Sequence, residues 1–356
     1  MSLAFVYTST PSRVVFGAGA LARVADEVRA LGLRRVLVLS TPEQRAQGEQ
    51  VAADLGGLSA GVYDKAVMHV PVEVAKAACD ESRRLGIDGT LAIGGGSTTG
   101  LAKAIALQLG LPILAVPTTY AGSELTPIWG LTEGGIKKTG RDPKVQPRTV
   151  VYDPTLLFSL SAGTTVASGM NAVAHCVEAL YAADANPIIS MLAEEGIRAF
   201  ARRLVRAVKQ PTDVDARADT LYGAWLGGTC LGATSMALHH KLCHTLGGSF
   251  NLPHAETHTI VLPHAAAYNA LAAPDAMKRI AAALGRDRAE HAPAALYDLA
   301  RDGGAKLKLA DIGMREVDLD RAADLALAAP YPNPRPLERA GVRKLLDDAF
   351  HGRRPT

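Results

Sequence analysis

Cysteine and aromatic residues are scarce in this sequence. Its 356 residues include four cysteines, which form no Cys-x-x-Cys pair and no disulfide-like framework. Because isolated thiols suit a reducing compartment, we expect a cytoplasmic protein. Aromatic residues make up only 5% of the chain, which argues against a surface that stacks nucleic-acid bases.

A large charge excess and a long apolar run are also missing. The formal net charge is +3 and the basic residues are dispersed, so we expect no nucleic-acid partner. No segment reaches the roughly 18 uninterrupted apolar residues of a membrane span, and the N-terminus does not resemble a signal peptide. The composition, 48% hydrophobic and 21% charged, is that of a soluble globular protein. At 356 residues the chain is long for one hydrophobic core, which predicts two domains.

Short apolar runs alternate with helical patterns in the first half of the chain. We predict strands at 13–16, 35–39, 58–63, 90–93, 112–116 and 150–152. Helices are predicted at 21–31, 43–55 and 71–85, with a further helix that ends near 109. This alternation predicts an α/β domain with a mainly parallel sheet over residues 1–158.

The pattern changes after Asp153-Pro154, where β-branched runs become rare. Amphipathic helical patterns cover 167–183, 187–209, 216–232, 235–246, 262–284, 292–302, 317–328 and 337–349. We therefore predict an all-α second domain over residues 159–356.

A glycine turn (Gly94–Ser97) and a threonine turn (Pro117–Glu124) follow two successive predicted strands. The glycines let the backbone approach a pyrophosphate, and the amides of the turn and of the following helix offer partial positive charge. Because ligands bind beyond the carboxyl ends of parallel strands, the two turns predict a nucleotide site. The alternative for the glycine turn is a tight turn without a ligand. The residues predicted to contact the nucleotide are Gly94, Gly95, Gly96, Ser97, Thr118, Thr119 and Ser123.

The tip of the strand at 35–39 bears on which nucleotide is used. It ends in Ser40-Thr41, with no Asp or Glu to hold a ribose 2′-hydroxyl and repel a 2′-phosphate. This removes one barrier to NADPH, and Arg45 can favour it. We predict that both NADH and NADPH are used, with Ser40 at the site.

Six of the ten histidines fall between His239 and His264. His240 and His244 are four residues apart, which places them on one face of a helix. Gly247-Gly248 is predicted to end this helix, and a loop then brings up His254. Converging imidazoles form metal sites and acid/base sites. The alternative is that each histidine is hydrogen-bonded on its own, and His239, His258 and His264 are interpreted in this way.

The motifs GGGS, PTT…SE, GMNAVAH and HxxxH…NLPH, in this order, resemble the iron-containing (group III) alcohol dehydrogenase superfamily over essentially the whole chain. The resemblance implies an N-terminal dinucleotide-binding α/β domain and an all-helical C-terminal domain, the dehydroquinate synthase-like fold, with the active site in the cleft between them. It implies a homodimer, and it places His244 near the nicotinamide and Lys138 and Thr126 near the cofactor. Metal-dependent members bind iron or zinc through one Asp and three His, which match Asn171, His175, His240 and His254.

The residue at the aspartate position, Asn171, departs from the metal-dependent pattern. A neutral amide is a poor ligand for a divalent transition metal where a carboxylate is the norm. Together with His69-Val70-Pro71 and PTTYAGSE, it resembles the maleylacetate reductase branch of the superfamily. This resemblance implies NADH- or NADPH-dependent reduction of the carbon–carbon double bond of maleylacetate, and of chlorinated analogues, to 3-oxoadipate in aromatic-compound degradation, without a required metal.

Imidazoles suit such a reaction because they bind and donate protons near neutral pH. We expect His240 and His254 to stabilise an enolate or bind a substrate carboxylate, and His175 and Asn171 to orient substrate or water. Which histidine gives the proton stays open. For the dicarboxylate substrate, Arg335 and Lys138 are candidate cations on loops.

Three other functions remain open from the sequence. The first is a metal-dependent alcohol or polyol dehydrogenase that uses His175, His240 and His254. The second is a lyase like dehydroquinate synthase, which has the same two-domain plan. The third is a non-catalytic nucleotide sensor.

Overall fold

The chain divides into two compact units between Ser159 and Leu160. The computed structural model describes Phe5, Tyr7 and residues 12–134 and 136–356. Each unit has its own arrangement of elements.

The first unit is an α/β structure. Its strands are β1 (Arg13–Phe16), β2 (Val36–Leu39), β3 (Ser59–Tyr63), β4 (Gly89–Gly94), β5 (Ile113–Pro117), β6 (Ile128–Glu133), β7 (Ile136–Arg141) and β8 (Thr149–Tyr152). Its helices are α1 (Val24–Ala30), α2 (Arg45–Leu55), α3 (Val72–Leu85) and α4 (Gly96–Leu109). Six strands form one sheet in the order β1-β8-β5-β4-β2-β3, and every neighbouring pair is parallel.

The parallel sheet confirms the prediction made from the apolar runs. Strands β2, β4 and β5 are buried along their whole length, as expected of central strands covered on both faces. The antiparallel hairpin β6–β7 was not predicted. The side chains of β6 are mostly half-buried and Gly130 interrupts the run, so no buried apolar pattern marks this strand.

The second unit is all-helical in the residues described, which confirms the predicted class. Its helices are α5 (Ala162–Tyr181), α6 (Pro187–Lys209), α7 (Val214–Ala233), α8 (Leu238–Phe250), α9 (His254–Asn269), α10 (Pro274–Ala283), α11 (Ala292–Asp302), α12 (Leu319–Ala326) and α13 (Arg339–His351). Helix α5 packs against α6, α7 and α9, and all of its residues from Thr165 to Tyr181 are buried. Its polar side chains are therefore held inside the unit.

Two predicted helix boundaries near the histidines are wrong. Helix α8 continues through Gly247-Gly248 to Phe250, and the N–H of Asn251, whose backbone is left-handed, closes the last turn onto the Leu246 carbonyl. His254 does not lie on a loop, since it is the first residue of α9. That helix runs through Pro263, because packing against α5, α8, α11 and α13 outweighs the helix-breaking cost of about 3 kcal/mol.

Among the described residues, no helix is both long enough and apolar enough to span a bilayer.

Candidate functional site

The predicted nucleotide-binding residues meet at one edge of the parallel sheet. Strand β4 lies between β2 and β5, so the segments that follow these three strands are neighbours. The Thr118 amide donates to the Gly94 carbonyl at 3.0 Å, and the Gln44 side chain donates to the Thr118 hydroxyl at 2.9 Å. Helix α4 begins at Gly96 with Gly95 as its N-cap, so its free amides point out of the glycine turn. This edge can hold a pyrophosphate.

The other predicted cofactor residues differ in exposure and in the contacts that they make. Ser97 is the second residue of α4 and is half-buried. Ser40 is fully buried at the end of β2. The Thr126 hydroxyl is buried and accepts from Lys103 at 2.9 Å, so it already has a partner within the protein. Lys138 is exposed and forms an ion pair with Glu133 at 2.7 Å.

The two arginines considered as ligands, Arg45 for a 2′-phosphate and Arg335 for a substrate carboxylate, also form contacts within the protein. Arg45 pairs with Glu49 at 2.8 Å and with Asp64 at 3.1 Å. Arg335 stacks over the Tyr268 ring, with its guanidinium carbon 4.3 Å from the ring centroid, and donates to the Tyr268 carbonyl. Neither guanidinium is held ready for a ligand in this arrangement.

Gly94 is the glycine of this turn that leaves the least room for a side chain. Its φ is +151°, and an added Cβ would lie against the Thr98 hydroxyl and 2.8 Å from Gln44 Oε1. We expect Gly94→Ala to lower the free energy of unfolding by about 1–3 kcal/mol, the usual range for overpacking. Urea unfolding should show Gly96→Ala within about 0.5 kcal/mol of the parent, because its Cβ would meet nothing closer than 3.7 Å. Equal stabilities of the two variants would contradict this account of the turn.

Three buried helices position the imidazoles of the second unit. Asn171, His175 and Glu178 follow one another at spacings of four and three on α5, so they share one face of that helix. Helix α8 carries His240 and His244, and α9 carries His254 and His258 at the same spacing of four. The unit therefore contains two HxxxH pairs.

The imidazole rings form one continuous cluster. The ring centroid of His240 lies 5.2 Å from that of His175, 4.9 Å from that of His258 and 6.2 Å from that of His244. His258 also lies 4.2 Å from His254, and His254 lies 6.3 Å from His244 in a stacked arrangement. The structure thus brings together all four histidines predicted for the site, and it adds His258 to them.

Exposure differs sharply across this cluster. His175, His240 and His258 are buried, His254 is half-buried and His244 is exposed. Burial lowers the pKa of His175, His240 and His258 well below the usual value, and the neighbouring imidazoles lower it further. Near neutral pH these three rings are therefore uncharged. His254 and His244 are the members of the cluster that a ligand can reach from solvent.

A buried carboxylate, Glu178, lies behind His240. Its Oε2 atom is 2.8 Å from His240 Nδ1, and its two oxygens accept the backbone N–H of Ala237 at 2.9 Å and of His239 at 2.8 Å. Helix α8 has no side-chain cap of its own at Ala237, so Glu178 takes that role. Burial raises the pKa of Glu178, and His239 and the backbone N–H donors oppose this rise.

Glu178, His239 and His258 were missed or misinterpreted at the sequence level. His239 and His258 were taken as isolated structural residues, but the His239 ring lies 4.8 Å from His258 and 5.0 Å from His240. The second HxxxH pair was a readable signal, and it was lost because His254 was placed on a loop. The spacing of Glu178 from His175 was also readable. Its contact with α8 was not, because that helix begins 60 residues later.

The residues at the superfamily's metal position fit a divalent metal poorly. They are one amide and three imidazoles, with no negative charge to offset that of the ion. Among the described residues, one group of three or more histidine, cysteine or acidic side chains has all its ligand atoms within 4.8 Å of one another, and it consists of His239, His240 and His258. In that group His239 Nε2 is bonded to the His258 carbonyl and His240 Nδ1 to Glu178.

Comparison with known proteins agrees with this arrangement. The family model described as iron-containing alcohol dehydrogenase matches residues 11–154, and the C-terminal model of the Fe-containing alcohol dehydrogenase family matches residues 165–350. The chain belongs to this family. It is an oxidoreductase, which confirms the resemblance seen in the motifs, and family membership implies a nicotinamide cofactor.

The relatives that match this chain over its full length include maleylacetate reductases. The chain is 57% identical to a maleylacetate reductase of Burkholderia cepacia and 58% identical to one of Sphingobium indicum, with 99% of each chain covered in both cases. The crystal structure of maleylacetate reductase from Agrobacterium tumefaciens superposes with a TM-score of 0.96 at 52% identity, covering 99% of this chain and 100% of that one. The fold is therefore shared with that reductase.

Proposed function

We propose that this chain is a maleylacetate reductase, which uses NADH or NADPH to reduce the carbon–carbon double bond of maleylacetate to 3-oxoadipate. The observation that carries the proposal is the identity of more than half of all residues to maleylacetate reductases over the whole chain. The imidazole cluster without a carboxylate at the metal position is consistent with it. Chlorinated maleylacetates are proposed as further substrates.

The reaction needs little more than a hydride donor, hydrogen-bond donors and a proton. The double bond of maleylacetate is conjugated to a ketone, so hydride addition at the carbon β to the ketone moves negative charge onto the ketone oxygen. The enzyme stabilises this enolate by hydrogen bonds and protonates the adjacent carbon. The accessible rings of His254 and His244 are proposed to contact the substrate and the nicotinamide, while His175 and Asn171 orient substrate or water.

We propose that no metal takes part. In metal-dependent relatives a cation would polarise a carbonyl oxygen, whereas here imidazole N–H groups are proposed to stabilise the same charge. The neutral donor set around Asn171 supports this. We further propose that the protein acts as a homodimer in the cytoplasm, in the degradation of aromatic compounds, with a small dicarboxylate as its substrate partner.

The proposal is tested by following nicotinamide absorbance with purified protein and maleylacetate. We expect rapid oxidation of NADH and NADPH, unchanged after prolonged dialysis against EDTA, and little turnover with simple aldehydes. Faster turnover of aldehydes, or activity that EDTA abolishes and Zn²⁺ or Fe²⁺ restores, would favour a metal-dependent alcohol dehydrogenase instead. Metal analysis of the same sample provides the control.

A further inference from the structure

The serine at the end of β2 is enclosed by its neighbours. Ser40 is fully buried, and helix α2 packs directly onto it, since a Cβ added at Gly48 would lie 3.2 Å from Ser40 Oγ. The Ser40 N–H donates to the Tyr63 carbonyl, and the Ser40 carbonyl accepts from the Ala66 N–H, each at 3.1 Å. The hydroxyl of Ser40 is therefore not exposed to a ribose that binds at this edge of the sheet.

The neighbouring strand, β3, ends in an acid at the same edge. Strands β2 and β3 are parallel, with Leu39 opposite Tyr63. The next residues, Ser40 and Asp64, consequently lie side by side at about the usual strand spacing of 4.8 Å. The Asp64 side chain is 24% exposed, so a ligand can reach it. An acid in this position can hold the 2′-hydroxyl of an adenosine ribose and repel a 2′-phosphate.

The two oxygens of the Asp64 carboxylate differ in their contacts. Arg45 Nη1 donates to Asp64 Oδ2 at 3.1 Å, and Arg45 Nε donates to Glu49 Oε1 at 2.8 Å. No described residue donates a hydrogen bond to Asp64 Oδ1. Because each carboxylate oxygen has two lone pairs, Oδ1 can accept a ribose hydroxyl while Oδ2 keeps Arg45 as its counterion.

Arg45 is a cation that a 2′-phosphate can draw away from Asp64. Its side chain is 62% exposed, and exposed ion pairs of this kind are weak. A guanidinium binds phosphate more strongly, because two parallel N–H groups match two of the phosphate oxygens. This movement leaves Asp64 without its counterion and beside a new negative charge. The pair can therefore accommodate both coenzymes, and it favours the coenzyme that lacks the phosphate.

We propose that Asp64 binds the 2′-hydroxyl of NADH through Oδ1, and that Arg45 turns from Asp64 to the 2′-phosphate when NADPH is bound. These two residues set the coenzyme preference, with NADH favoured. The assignment rests on the proposed function only for the use of NADH or NADPH. It moves the determinant of coenzyme specificity from the tip of β2 to the tip of β3 and the start of α2.

Two other charged side chains near this edge provide comparisons. Glu43 lies in the turn after β2, where hydrogen bonds from its own backbone N–H and from Thr41 lower its pKa. Lys65 directly follows Asp64, but its ammonium group lies over the Tyr63 ring, 5.8 Å from the ring centroid. Each carries the same charge as Asp64 or Arg45 and lies close in the chain, but it makes different contacts.

Replacing Asp64 by alanine tests the carboxylate. We expect the Kd of NADH to rise roughly 10-fold, the usual cost of losing a hydrogen bond to a charged group, and the Kd of NADPH to fall because a repulsive charge is removed. Fluorescence titration of each coenzyme with purified protein measures both constants. The matched control is Glu43→Ala, which should leave the Kd of NADH within about twofold of the parent value. Parental affinity for NADH in Asp64→Ala, or an equal loss in Glu43→Ala, overturns the proposal.

Replacing Arg45 by glutamine tests the cation. We expect the Kd of NADPH to rise roughly 10-fold, while the Kd of NADH stays within about twofold of the parent value. Lys65→Gln is the matched control and should leave both constants within about twofold. Equal weakening of both coenzymes by Arg45→Gln, or a loss of NADPH affinity in Lys65→Gln as large as that in Arg45→Gln, contradicts the assignment. Binding is measured without maleylacetate, so a wrong assignment of the substrate appears only in turnover and is recognised separately.

Discussion

Replacing His254 by alanine is expected to lower kcat for maleylacetate roughly 10²–10³-fold, the usual cost of removing one donor that stabilises a developing oxyanion. His254 begins α9 and is half-buried, so its ring can meet a ligand. It lies 4.2 Å from the His258 ring and 6.3 Å from the His244 ring, which hold it in place. The negative charge of an enolate beside it is further favoured by the N-terminus of α9.

Two further variants distinguish a chemical role of His254 from a packing role. His254→Gln keeps an N–H donor near the position of Nε2, so it should retain more activity than His254→Ala. His291→Ala removes an exposed imidazole of the same unit and should leave kcat unchanged. Steady-state kinetics with thermal unfolding of each protein provide the comparison. Near-parental kcat in His254→Ala would remove this residue from the mechanism.

The local sequence patterns were sufficient to predict much of the fold. The strand at Arg13–Phe16 and the helices Pro187–Lys209 and Ala292–Asp302 have the predicted bounds, because each is delimited by an apolar run or by turn residues next to it. The buried strands β2, β4 and β5 were equally clear. Parallel strands covered on both faces leave an apolar signature that needs no knowledge of the partner strand.

The errors occurred where distant packing decides the local structure. Residues 262–284 were predicted as one helix, yet α9 ends at Asn269 and α10 begins at Pro274. The start of α9 at His254 could not be inferred from propensity, because the helix is stabilised by four neighbours and contains Pro263. The same error concealed the pairing of His254 with His258. Local rules do not report such tertiary effects.

The candidate site was predicted in part for the same reason. The positions of Asn171, His175, His240 and His254 followed from motifs, and the three imidazole rings do come together with that of His258. The role of Glu178 could not be predicted, because it depends on backbone N–H groups at the start of α8 that only the fold brings close.

Lys103 is the clearest case of a polar residue that only the fold explains. It lies on α4 within the apolar run Leu-Ala-Lys-Ala-Ile and is 1% exposed. Its ammonium group contacts the carbonyl oxygens of Ser123, Thr126 and Ile128 at 2.6–2.8 Å. Burial lowers its pKa to about 7, and Glu124 opposes this. These bonds gather the threonine turn, which carries predicted cofactor residues, around a single cation.

We therefore expect Lys103→Met to lower the free energy of unfolding by about 3–5 kcal/mol, because it leaves buried carbonyl oxygens and Glu124 without their cation. Where the protein still folds, its affinity for NADH should fall as well, since the threonine turn loses its central tie. Urea unfolding and NADH fluorescence titration measure the two effects. The matched control is Lys144→Met in the same unit, where the lysine is 47% exposed and its pair with Asp142 contributes at most about 1 kcal/mol. If Lys103→Met were as stable as Lys144→Met, the turn would be held by its own backbone bonds, and the buried ammonium would have no organising role.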